Sequence, residues 1–332
     1  MRIDSVGTAL VTGGAGFIGS NLVDGLVERG VKTRVLDDLS TGRHSNLVEA
    51  VETGRCDLIV GDIRDRATVK AALRGVDLVF HLAVSNLRVS LSDPSVSHEI
   101  NAGGSLTVLE EAREAGVHRF VYCSSSEVYG SAVEVPISES HPLNPTTVYG
   151  ASKLAGEKYA LAFHTTYEFP TTVVRPFNTY GYREHLVGTS GEVIPRMVAR
   201  ALGGRPPLIF GDGTQSRDFT FVTDTVRGLI ACAEEDELIG RAINIARGEE
   251  VEIRFLAAEI CRQLGREPDI EFIDERPGDV HRQWADVREA RTLLEYEARI
   301  PIAEGIGLYV EWLLANHPDA AALESAVENR NW

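Results

Sequence analysis

One stretch constrains the fold of this chain more than any other: Leu10-Val11-Thr12-Gly13-Gly14-Ala15-Gly16-Phe17-Ile18-Gly19-Ser20-Asn21-Leu22. It begins as an apolar strand, tightens into glycines and resumes as an amphipathic helix. Gly13 permits a sharp turn, and Gly16 lets the backbone approach a pyrophosphate. Gly19 lets the helix sit close to the sheet, so that the first-turn amides around Phe17 and Ile18 and the helix dipole face an anion. Ordinary tight turns also use glycine, so the GxxGxxG spacing says little alone. Its position between a strand and a helix, with an acidic pair about 20 residues further on, makes it a dinucleotide site.

That acidic pair, Asp37-Asp38, closes a second predicted strand over 32–36. A carboxylate there can hold the two adenosine ribose hydroxyls and repel a 2′-phosphate, so NAD is expected rather than NADP; the plainer reading is the start of a turn. A third strand over 57–60 runs into Gly61-Asp62-Ile63, and a fourth over 76–80 into His81-Leu82-Ala83. Open α/β sheets bind ligands at strand C-terminal ends, which adds Asp62, Ile63, Leu82 and Ala83 to the expected cofactor wall. Asp62 as a helix cap and His81 as a packed core residue fit the sequence equally well.

A predicted helix over 101–116 leads to a fifth strand, Arg119–Cys123, and then to Ser124-Ser125-Ser126-Glu127-Val128-Tyr129-Gly130. Regular strand and helix alternation predicts a doubly wound parallel sheet of the Rossmann type. The second half is less periodic: a sixth strand over 171–175, a long loop over 176–191, a return to the sheet over 219–244 and a helix over 252–264. Residues 268–332 carry a strand, a Pro-Gly turn and two helices. The expected α/β architecture is a dinucleotide domain of residues 1–177 and 218–247 with a smaller, discontinuous α/β substrate lobe of 178–217 and 248–332. A length of 332 residues suits that division.

Composition narrows the function. An apolar fraction of 43% and a charged fraction of 25% are those of an ordinary globular chain. The net charge of −16 argues against nucleic acid or an anionic membrane as partner, and an anionic small molecule would need a local basic pocket. No apolar run approaches the roughly 20 residues of a membrane span, and the apolar start runs straight into the glycine turn, so a cytoplasmic protein is expected. Cys56, Cys123, Cys232 and Cys261 are far apart, and the nine histidines have no ligand spacing; no metal is expected.

The strongest catalytic signal is Tyr149-Gly150-Ala151-Ser152-Lys153, which puts a phenol and an ammonium on one helix face. A nearby ammonium stabilises phenolate and would make Tyr149 a base near neutral pH. A solvated amphipathic helix would give the same spacing. The hydroxyl cluster Ser124 to Ser126, at the end of the preceding strand, favours the catalytic reading.

These motifs occur in order with Arg175-Pro176-Phe177-Asn178-Thr179-Tyr180-Gly181, Gly211-Asp212-Gly213-Thr214-Gln215-Ser216-Arg217-Asp218 and Arg276-Pro277-Gly278-Asp279. Together they resemble the extended short-chain dehydrogenase/reductases, the NAD-dependent epimerase/dehydratase group that modifies nucleotide-diphosphate sugars. The resemblance implies a tightly held NAD and oxidation of the sugar at C4, followed by return of the hydride. Tyr149 would take the O4 proton, Ser125 would hydrogen-bond O4, and Lys153 would hold the nicotinamide ribose. It also implies Asn178 on the diphosphate, Arg217 on the β-phosphate, Arg276 and Asp279 on phosphate and ribose, and the segment around Val193 against the base. For Arg217 a salt bridge to Asp218 is the competing reading. A homodimer through helices around Leu106 and Leu154 is implied as well.

The fate of the 4-ketone separates the subfamilies. Glu127 after Ser125-Ser126 resembles the Thr-Ser-Glu of UDP-glucuronate decarboxylases, and implies chemistry at C5 or C6. Leu87-Arg88-Val89-Ser90 resembles the VRxS segment of uronic-acid epimerases, so Arg88 and Ser90 are candidates for binding a C6 carboxylate through an arginine fork. An Arg88 lining the phosphate channel or paired with Asp93 is equally open. The decarboxylase arginine near the C-terminal motif is replaced by Gln283, beside Arg282. The leading expectation is a UDP-glucuronate decarboxylase giving a UDP-4-keto-pentose or UDP-xylose. A UDP-sugar 4-epimerase comes second, a 4,6-dehydratase third, and a non-catalytic NAD sensor is the remote alternative.

Overall fold

A computed structural model describes residues 1–186, 192–275 and 281–317. Strands β1 (Thr8–Thr12), β2 (Lys32–Asp37), β3 (Cys56–Val60), β4 (Leu78–His81), β5 (Arg119–Cys123) and β6 (Thr171–Pro176) join the strand Ala242–Ile245 in one sheet. The order is Ala242–Ile245, β6, β5, β4, β1, β2, β3, and every neighbouring pair is parallel. Both faces are covered, which is why the central strands read as unbroken apolar runs. One face packs Val11, Leu22, Leu26, Phe80 and Val121; the other packs Leu10, Leu36, Val79, Phe120 and Tyr122. Strand order reverses between β1 and β4, so the crevice above their C-terminal ends is where this architecture places a ligand.

The C-terminal half has an apolar cluster of its own. Ile194, Met197, Phe219, Phe221, Leu256, Ile260, Ile306 and Tyr309 pack between the helices Val193–Leu202, Ile253–Gln263 and Ile302–Asn316. Short strand pairs frame it, among them Leu208–Phe210 beside Glu271–Ile273 and Ser216–Arg217 beside Arg282–Gln283. The expected loop over 176–191 holds a two-residue strand, Thr179–Tyr180, paired with Thr220–Phe221.

The helix expected over 101–116 begins earlier. It starts at Pro94, where the Asp93 carboxylate accepts from the Val96 amide and proline fits the first turn. It passes through a π-helical stretch, Glu99–Gly104, before continuing as Ser105–Glu114. That wider turn brings the Asn101 side chain inward. A further short helix, Leu87–Ser92, is capped by Asn86, whose side chain accepts from the Arg88 and Val89 amides. Among the described residues no helix is long and apolar enough to cross a membrane.

Candidate functional site

A cavity of about 970 Å³ opens over the C-terminal ends of β1 and β4 and extends towards the C-terminal cluster. Gly13, Gly16, Phe17, Ile18, Gly19, Asp37, Asp38, Asp62, Ile63, Leu82 and Ala83 all lie on its wall. Gly13 has a φ of +69°, and a Cβ there would stand 2.7 Å from the Ala83 amide nitrogen. The turn after β1 is therefore pressed against the turn after β4. A Cβ on Gly19 would lie 2.1 Å from the Gly13 carbonyl oxygen, so only glycine lets the helix Phe17–Glu28 start this close to the loop. Gly16 stands at the helix N-cap with no side chain over the first-turn amides.

Asp37 does more than end β2. Its carboxylate accepts from the Ala15 amide at 2.9 Å and the Leu39 amide at 2.8 Å, tying the glycine loop to the strand. Burial pushes its carboxyl up, against the pull of those two amides. Asp38 is exposed and accepts from the Ser40 amide and hydroxyl. Asp62 is gripped by Arg64, whose hydrogen bonds lower its pKa. His81 is a core residue: its ring bridges Thr12 at 2.6 Å and Ser105 at 2.9 Å, and burial drives its pKa down to about 3, so it stays neutral.

Tyr149 and Lys153 stand one turn apart on the helix Val148–Tyr167, which Thr147 caps through the Gly150 amide. Ser125, just after β5, lines the cavity with Tyr149 and accepts from the Glu127 amide at 3.2 Å. Ser125, Ser126, Glu127, Tyr149 and Lys153 all line the cavity. The expectation that Lys153 lowers the phenol pKa needs correction. Burial holds Tyr149 above its ordinary value; Ser125 opposes this, and Cys123, Glu127 and Glu192 add to it. The Lys153 ammonium lies 4.5 Å from the Tyr122 ring centroid, and burial lowers its pKa to about 8.

A buried polar chain underlies this pair. Glu157 accepts from the Ser124 hydroxyl at 2.8 Å and from two Arg175 nitrogens at 2.6 and 3.1 Å. Arg175 donates on to the Tyr129 hydroxyl, and Tyr129 to Asn244, both at 2.7 Å. Asn101 joins from the π-helical stretch: it accepts from the Ser85 amide and donates to the Ser152 hydroxyl beside Lys153. Gln283 is buried, and its amide donates to the Ser126 carbonyl at 3.5 Å, whereas the Arg282 side chain faces outward to Glu250.

The other end of the cavity is basic and aromatic. Arg196, Arg200, Arg217, Phe210 and Phe219 line it with Asn178 and Val193. The Asp218 carboxylate takes three backbone amides, those of Arg247, Gly248 and Ala285, while Arg217 donates to the Ser216 carbonyl at 2.9 Å, so the competing reading of an Arg217–Asp218 salt bridge is not what these two side chains form. Arg88 lines the cavity but pairs with neither Asp93 nor a free ligand space: its two terminal nitrogens lie 3.0 and 3.4 Å from the Glu192 oxygens. Ser90 is a correction. It is buried with its hydroxyl on the Leu87 carbonyl and stays off the cavity wall, because the helix Leu87–Ser92 turns it inward. Arg276 and Asp279 lie outside the described residues. The sequence reading missed Asn101, Arg196 and Arg200; two arginines four apart in an otherwise apolar helix were the available signal.

A parallel sheet with a glycine cradle at its switch point and a Ser-Tyr-Lys set on the cavity floor defines a dinucleotide-dependent enzyme class. The comparisons narrow the class. The NAD dependent epimerase/dehydratase family pattern matches residues 9–246. A UDP-glucose 4-epimerase of Mycolicibacterium smegmatis is 36% identical over 91% of this chain and 97% of its own. UDP-glucuronic acid decarboxylase 1 of Arabidopsis thaliana is 34% identical over 90% of this chain and 67% of its own. Among solved structures, an epimerase of Methanothermobacter thermautotrophicus gives a TM-score of 0.91 at 34% identity, with 96% of each chain covered. The chain belongs to the NAD-dependent epimerase/dehydratase family, whose characterised relatives are enzymes acting on nucleotide sugars.

Proposed function

We propose that this protein is a 4-epimerase of a neutral UDP-hexose, which oxidises the sugar at C4 and reduces the ketone from the opposite face. The glycine cradle fits NAD, because the positions that a pyrophosphate would approach carry no Cβ. Gly13 to Gly19 would hold the pyrophosphate, Asp37 and Asp38 the adenosine ribose, and Lys153 the nicotinamide ribose. Bound there, NAD would supply the hydride acceptor, and its positive charge would oppose the effect of burial on the Tyr149 phenol. Ser125 orients O4, and Tyr149 takes the O4 proton and later gives it back. Arg196 and Arg217 would offset the acidic background around a diphosphate, with Phe210 and Phe219 against the base, while Arg200 is held by Glu271 at 2.6 Å and by the Pro206 carbonyl. In this reading residues 1–177 and 218–247 carry the cofactor, 178–217 and 248–332 the nucleotide sugar, and two copies pair through the helices bearing Leu106 and Leu154.

The observation that carries the neutral sugar is the Arg88 fork, which already holds a carboxylate, that of Glu192. The names of the full-length relatives agree with epimerisation. Glu127 favours a second reading. It lines the same cavity as Tyr149, where a carboxylate would serve chemistry at C5, as in decarboxylation of UDP-glucuronate or 4,6-dehydration. Incubation with UDP-glucose and with UDP-glucuronate, read by NMR and CO2 release, separates the two. The expected result is UDP-galactose, no CO2, and a Glu127→Gln variant that keeps most of its turnover. CO2 from UDP-glucuronate, lost in that variant, would establish decarboxylation instead.

A further inference from the structure

The Arg88–Glu192 pair spans the cavity between two parts of the chain that are 104 residues apart. Arg88 comes from the helix after β4, fixed by the Asn86 cap. Glu192 stands at the N-cap of the helix Val193–Leu202, held there by its amide hydrogen bond to the His185 carbonyl at 3.0 Å. Its side chain caps no amide of its own helix, so helix capping does not account for the carboxylate. Both residues line the cavity, Arg88 with 13% of its side chain exposed and Glu192 with 44%. Arg88 is thus the desolvated partner, while Glu192 reaches it from the open side. The site is also close to the chemistry, since the Glu192 charge is felt at the Tyr149 phenol.

We infer that Glu192 is a specificity-determining residue: its carboxylate fills the guanidinium fork of Arg88 in place of a substrate carboxylate, so the pocket accepts a neutral sugar and rejects a hexuronate. This rests on the functional reading above. A planar guanidinium binds one carboxylate through two parallel hydrogen bonds, and a second carboxylate brought into the same space meets the charge of the first. Rejection therefore combines a taken donor pair with like-charge repulsion. Glu192→Gln removes the charge, keeps the shape and leaves Arg88 able to hold a C6 carboxylate.

Calorimetric titration of the NAD-loaded protein with UDP-glucose and with UDP-glucuronate tests this in the wild type, in Glu192→Gln and in the double variant Glu192→Gln/Arg88→Met. The affinity for UDP-glucuronate relative to UDP-glucose is expected to rise at least about tenfold in Glu192→Gln, the weight of one charge-assisted fork. The double variant is expected to lose that gain. An unchanged ratio in the single variant, with UDP-glucose still bound, overturns the inference and withdraws the Arg88 fork as support for a neutral sugar; 4-epimerisation itself is judged separately, by whether the wild type converts UDP-glucose to UDP-galactose. A gain that persists without Arg88 also overturns it. A wild type that binds neither sugar nucleotide overturns the functional reading and this inference together.

Discussion

Lys153 shows how a single side chain here is placed against its own stability. It is an almost fully buried ammonium over the Tyr122 ring, and burial lowers its pKa from 10.5 to about 8. A folded value below the unfolded one means that the charged form costs stability. The cost is complete below pH 8, shrinks between pH 8 and 10.5, and vanishes above. The shift amounts to about 3 kcal/mol at 1.36 kcal/mol per pH unit. Lys153→Met is therefore expected to stabilise the protein at pH 7 by up to about 3 kcal/mol in denaturant unfolding, with a smaller gain at pH 10, while turnover is lost. A variant less stable than wild type at pH 7 would contradict this. The same residue marks a limit of sequence reasoning. YxxxK spacing placed Tyr149 and Lys153 on one helix face, but how deeply both are buried depends on what packs over them, and this reverses the expected direction for the phenol.

At the scale of elements, the glycine turn and its helix form a unit whose geometry leaves no room for a side chain. Gly19→Ala would place a Cβ 2.1 Å from the Gly13 carbonyl oxygen, so the loop must move. Overpacking of this kind costs about 1–3 kcal/mol. The variant is expected to unfold at lower temperature and to bind NAD at least about tenfold more weakly, by fluorescence titration. Unchanged NAD affinity would show that the loop does not approach the pyrophosphate. This unit was legible in the sequence because its determinants are local: a strand, three spaced glycines and an acidic strand end. The helix beginning at Pro94 was legible only in its later turns. The π-helical stretch that turns Asn101 inward is fixed by its bonds to Ser85 and Ser152, which come from distant parts of the chain.

At the scale of the whole molecule, sheet and C-terminal cluster meet around one cavity, with the cofactor cradle at one end and arginines at the other. The sequence showed the residues at each end but not their pairings. Arg88 read as a clamp for a ligand carboxylate, and the fold supplies that carboxylate from Glu192. Arg217 read as either a phosphate ligand or a partner of Asp218, and the fold gives Asp218 to three backbone amides. Both outcomes leave Ser125, Tyr149 and Lys153 lining the same cavity as the Arg88–Glu192 pair, the arrangement on which the proposed neutral-sugar reading rests. The central claim is that a hydride leaves C4 and returns to the same carbon without exchanging with solvent. Turnover of UDP-glucose deuterated at C4, followed by NMR, tests it most directly. The predicted result is UDP-galactose with the deuterium retained at C4; loss of the label to solvent, or inversion at C4 in a Tyr149→Phe variant at the wild-type rate, would contradict it.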